Sequence, residues 1–85
     1  MRNLEQIQDL EVRLVRCFSS VFPDLSEEQI RNASIESVPG WHSLASVTLV
    51  SIVQEEFGVQ VSLTDLPNLV SFLAVQNYVQ HHLAS

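Results

Sequence analysis

The run from Ser43 to Phe57 contains neither glycine nor proline and is bracketed by both, with Pro39-Gly40 before it and Gly58 after it. A strongly apolar segment of that length, closed by a glycine in the C′ position, predicts a helix. At about 100° per residue, Leu49, Val50, Val53 and Phe57 fall within one arc and form its core face. Leu44 and Val47 fall on the other side, with Thr48, Ser51 and Glu55 between and around them. Apolar side chains left outside the core near the start of a helix suit a contact with a partner, and isolated exposed apolar residues are also common.

Two further helices follow from periodicity. Leu4, Ile7, Leu10, Leu14, Val15 and Phe18 recur at three- and four-residue spacing, which predicts an amphipathic helix from Leu4 to about Ser20, supported by an Asp9/Arg13 pair at i, i+4. Pro23 closes it. Ser71 is placed to cap a last helix from Phe72 to about Leu83, with Phe72, Leu73, Val75, Val79 and Leu83 as its apolar stripe. Between the first two helices, Val21 to Trp41 reads as a long connection, in which Ser26 and Gln29 have capping-box spacing and Ile30 pins one helical turn to the core. Gly58 to Leu63 alternates like a strand but has nothing to pair with, so it predicts an extended linker, and Thr64 is placed to cap a very short helix over Asp65 and Leu66. The expectation is an all-α fold: a small four-helix, up-down bundle of three longer helices and one short one, with a long first loop, forming a single domain over residues 1–85.

Composition narrows the partners. Ten acidic residues against four arginines and no lysine give a net charge of −6, which disfavours nucleic acid and anionic membrane surfaces and favours partners with basic patches. The N-terminal residues lack the apolar core of a secretory signal and no stretch approaches the roughly 20 apolar residues of a membrane span, so the chain reads as cytoplasmic. The single cysteine, Cys17, next to Phe18, reads as a small buried hydrophobe. His42, His81 and His82 lack a ligating spacing, which argues against a metal site, and no nucleophile, base and acid constellation marks an enzyme.

Ser43 occupies the first position of the central helix, where backbone N–H groups and the positive end of the dipole point outward and would stabilise an anionic phosphodiester. Serine is also among the commonest plain helix caps, although Ser46, three residues on, makes no capping box with it.

The string Gly40-Trp41-His42-Ser43-Leu44, followed by Val47, Leu49, Val50, Glu55-Glu56-Phe57-Gly58-Val59 and Asp65-Leu66, resembles the acyl carrier protein family. The family opens its second helix with an Asp-Ser-Leu tripeptide and ends it in a Glu-Glu-x-Phe-Gly-like run; Ser71-Phe72 and Tyr78-Val79 resemble its last helix. The likeness covers about Pro39 to Leu83, and Trp41 leans toward stand-alone carriers of specialised pathways. The resemblance implies a 4'-phosphopantetheine arm attached covalently at Ser43 by a Mg²⁺-dependent phosphopantetheinyl transferase, with Trp41, His42 and Leu44 flanking it. It implies a docking face of Leu44, Val47, Thr48, Ser51 and Glu55 for acyl-activating, acyltransferase or ketosynthase enzymes. It further implies a monomeric, non-enzymatic carrier of thioester-linked acyl groups in fatty-acid, polyketide or related biosynthesis, with a gap near Phe72, Ala74 and Val75 for the acyl chain.

Two positions depart from the family. His42 stands where the family has the aspartate that positions the serine and meets a basic transferase, and a histidine is neutral or positive at physiological pH. Ala45, Thr48 and Gln54 replace residues that are often acidic, leaving a neutral docking face on which Leu44 and Val47 carry more of the contact. The alternative is an unmodified interaction module of the same fold that has lost the aspartate.

Overall fold

A computed structural model describes the backbone from residue 2 to residue 84 and the side chains from 9 to 83. The chain forms α1 (Arg2–Val21), α2 (Glu27–Arg31), α3 (Ser43–Phe57) and α4 (Phe72–Ala84), with a 3₁₀ turn at Leu66–Asn68. The central helix has the bounds expected of it, and Gly58 ends it in the left-handed conformation at φ 67°, where a side chain would be strained. No described helix is long and apolar enough to cross a membrane.

Leu10, Leu14, Val15 and Phe18 of α1 are buried as the periodicity requires, whereas Leu4 and Ile7 lie outside the described side chains. α2 carries the full reciprocal capping box, Ser26 Oγ accepting from Gln29 N–H and Gln29 Oε1 accepting from Ser26 N–H, and Ile30 is buried. Ser71 Oγ accepts from the Ala74 backbone N–H and so caps α4. Leu73 and Leu83 do not belong to the core stripe of α4: they are 61% and 49% exposed, because the buried line runs through Phe72, Val75 and Val79. The short helix near Pro67 also differs from expectation. It starts at Leu66 and includes the proline, which is tolerated in a first turn because its missing N–H has no partner to lose there; Thr64 is not the cap, and its backbone N–H donates to Ser62 Oγ.

The helix directions follow from which ends meet. Arg13 of α1 donates from Nε to Glu56 Oε2 at 2.6 Å and from its guanidinium to the Glu56 carbonyl at 2.7 Å, and it lies 4.7 Å above the Phe57 ring. Phe18, one to two turns later in α1, packs on Trp41 just before α3 and on Phe72, which opens α4. α3 and α4 therefore both run opposite to α1, and the strict up-down order is replaced by a crossover. Residues 58–71 make that return, tied to α3 where Gln54 Oε1 accepts from Val61 N–H and to α4 where the Tyr78 hydroxyl donates to Asp65. Gly58 to Leu63 has no strand partner among the described residues; an isolated antiparallel bridge instead joins Ser34 to Ser71, with Ile35 N–H donating to Val70 O and Phe72 N–H to Ala33 O.

Cys17 is buried in the core, and burial, with a smaller contribution from the Glu56 carboxylate, pushes its thiol up to about 11. An unfolded chain releases that proton near pH 8.5. Between those values the native state binds more protons, so the contribution is complete below about pH 8.5 and is lost as pH rises toward 11. Tyr78, raised first by burial and then by its bond to Asp65, acts in the same direction. Urea unfolding midpoints should fall between about pH 8 and pH 10.5, with a smaller fall for Cys17→Ala, and native Cys17 should resist a thiol reagent that labels it in urea. Equal slopes for the two proteins would contradict a buried, protonated thiol.

Candidate functional site

The first turn of α3 follows a short loop built by backbone bonds: Trp41 N–H donates to Val38 O at 3.0 Å and His42 N–H to Gly40 O at 3.1 Å. His42, in extended backbone, is the N-cap residue, and its side chain makes no capping bond. Ser43 is thus the first residue inside the helix and not the cap. Its side chain is exposed, and its hydroxyl makes no hydrogen bond among the described residues. The backbone N–H groups of Ser43, Leu44 and Ala45 likewise have no acceptor, the first helical bond running from Ser46 N–H to His42 O at 2.9 Å. A nucleophile-sized hydroxyl, three open N–H donors and the positive end of a four-turn helix converge on one exposed point.

The face beside it is apolar and neutral. Leu44 is 71% and Val47 50% exposed, Thr48 turns its hydroxyl back onto the Leu44 carbonyl at 3.0 Å, and Ser51 and Glu55 are exposed further along. Leu44, Val47, Thr48, Ser51 and Glu55 therefore lie on one solvent-facing side, with Ser43 at its head. The first turn of α3 contains no acidic residue. Glu55 sits twelve residues from Ser43, about 18 Å along the axis and beyond a physiological Debye length.

Trp41 is placed differently from the other flanking residues. Its indole is 3% exposed, inside the core, and makes no part of the outer surface. Its Nε1–H donates to Ser46 Oγ at 2.9 Å, a contact across five residues that no local sequence pattern signals. Ser46 is the residue of this site that pattern reading overlooks.

Phe72 and Val75 are buried in the core, and Ala74 between them is half-buried. A cleft of about 620 Å³ lies at the C-terminal end of α3, between Gln54, Val61, Asp65, Tyr78 and His82. It is open and lined by polar and apolar groups alike, among them the Tyr78–Asp65 bond and the Tyr78–His82 stack at 4.1 Å. The three histidines, Cys17 and the carboxylates form no group of metal-ligand geometry among the described residues.

No family model matches this chain, and neither curated proteins nor solved structures give a match. The resemblance to acyl carriers rests on the motif residues themselves.

Because Leu44 and Val47 hold little of the core, replacing both with serine should change the unfolding free energy by less than about 1 kcal/mol. A larger loss in urea titration would show that these side chains are structural.

Proposed function

We propose that the chain is an acyl carrier, modified by phosphopantetheine at Ser43. The observation that carries this reading is the exposed, unbonded Ser43 hydroxyl at the head of α3, framed by open backbone N–H groups and by Leu44 and Val47. A phosphodiester is an anion, and those N–H donors and the helix dipole suit it; a buried or hydrogen-bonded serine would not. When attached, the arm supplies a thiol that holds acyl groups as thioesters. Ser43 anchors the arm, the first-turn N–H groups of Ser43 to Ala45 face the phosphate, and Leu44 and Val47 give partner enzymes an apolar contact. Neither a nucleophile-base pair nor a metal is needed from this chain, whose part is to carry and dock while transferases, acyl-activating enzymes and synthases catalyse.

The neutrality of the first turn favours one other reading. With His42 in place of an aspartate and no acid before Glu55 on α3, a basic transferase gains little steering at Ser43. A carrier-shaped interaction module would use the same Leu44 and Val47 surface without modification.

Intact-mass spectrometry after incubation with coenzyme A, Mg²⁺ and a broad-specificity phosphopantetheinyl transferase separates the two. The carrier reading expects a gain of about 340 Da that is absent in Ser43→Ala. It also expects a modification rate that falls less than about threefold between 50 and 500 mM salt, since apolar contact replaces charge steering. No mass gain with several transferases would overturn the carrier reading in favour of the module, and His42→Asp would then show whether that residue is responsible.

A further inference from the structure

We infer that Trp41 is a positioning residue for Ser43: through its bond to Ser46, the buried indole clasps the first turn of α3 and fixes the direction in which the Ser43 hydroxyl faces a partner. The role of Ser43 in this statement rests on the carrier reading; the clasp itself does not.

The indole has little freedom. Its ring meets Phe18 edge-on at 5.5 Å and 83° and lies 5.7 Å from Phe22, so the end of α1 holds it from the core side. Trp41 N–H is bonded to Val38 O, which fixes the backbone at the same residue. An indole offers one donor, and here that donor leaves the core toward Ser46 Oγ at 2.9 Å.

Ser46 is held twice, by its backbone N–H to His42 O and by its hydroxyl to Trp41, so the turn is fixed at both sides of Ser43. The capping-box position counted from the His42 N-cap is Ala45, whose methyl group offers no acceptor, and the His42 N–H donates to Gly40 O instead; Ser46, one residue further on, receives the indole. The result is a first turn made rigid from beneath. Its upper side, with the N–H groups of Ser43, Leu44 and Ala45, stays open. Side-chain capping from His42 would have obstructed that side. The aromatic end of α1 thereby sets the orientation of a serine that it does not touch.

The test uses the full chain as wild type, Ser46→Ala, Ser46→Thr and Trp41→Phe, with two readouts. Transfer kinetics with a broad-specificity phosphopantetheinyl transferase should show kcat lowered at least about fivefold in Ser46→Ala and Trp41→Phe with KM changed less than about twofold, because docking through Leu44 and Val47 persists while orientation is lost. Ser46→Thr, which keeps the hydroxyl, should recover wild-type kcat to within about twofold. Amide hydrogen exchange at Ser46 and Val47 should quicken at least about tenfold in Ser46→Ala and return in Ser46→Thr. Unchanged kcat and exchange in Ser46→Ala, or no recovery in Ser46→Thr, would overturn the clasp. If the wild type accepts no arm, the carrier reading falls and the exchange measurements decide the clasp without it.

Discussion

Phe18 holds this fold together from one end. Its ring lies 5.1 Å from Phe72, 5.5 Å from Trp41 and 6.5 Å from Phe22, so one side chain of α1 joins the opening residue of α4, the loop before α3 and the start of the first connection. In a chain of 85 residues, where burial barely exceeds conformational entropy, aromatic side chains that each remove about 150–250 Å² from water dominate the core. Once Phe18 fixes where α3 and α4 begin, the crossover of residues 58–71 is required, since α3 ends far from the start of α4. The other end is held by charge and not by bulk: Arg13 binds Glu56 and covers Phe57.

The arginines also explain where the acidic balance lies. Arg13 is paired with Glu56 and Asp9, and Arg31 with Glu11 and Glu27, so these carboxylates are engaged between helices or along them. Such partly exposed pairs contribute little stability each, but they use up acids that a docking face would otherwise present. The outer side of α3 begins instead with Leu44 and Val47. A net charge of −6 thus coexists with a neutral first turn at Ser43.

Elements set by local physics were legible in the sequence. The bounds of α3 follow from Pro39-Gly40 and Gly58, the α2 turn from Ser26 and Gln29, and the α4 cap from Ser71, because each is decided within a few residues. What depends on partners distant in the chain was not. Leu73 and Leu83 fit the α4 periodicity, yet both are exposed; the direction of α4 depends on Phe18; and Trp41 reads as a residue flanking Ser43 until its burial against α1 is seen. At the site, the exposure of Leu44 and Val47 follows from the helical wheel and that of Ser43 from its place at the helix start, whereas the Trp41–Ser46 bond pairs two residues that no local rule connects.

The most direct test of this account is the indole N–H resonance of Trp41, the chain's one tryptophan, followed by NMR for its contacts and exchange. The expected result is a single, slowly exchanging indole proton with nuclear Overhauser contacts to the Phe18 ring and to the Ser46 β-protons. A rapidly exchanging indole without those contacts would contradict the central claim that the aromatic end of α1 holds the turn bearing Ser43.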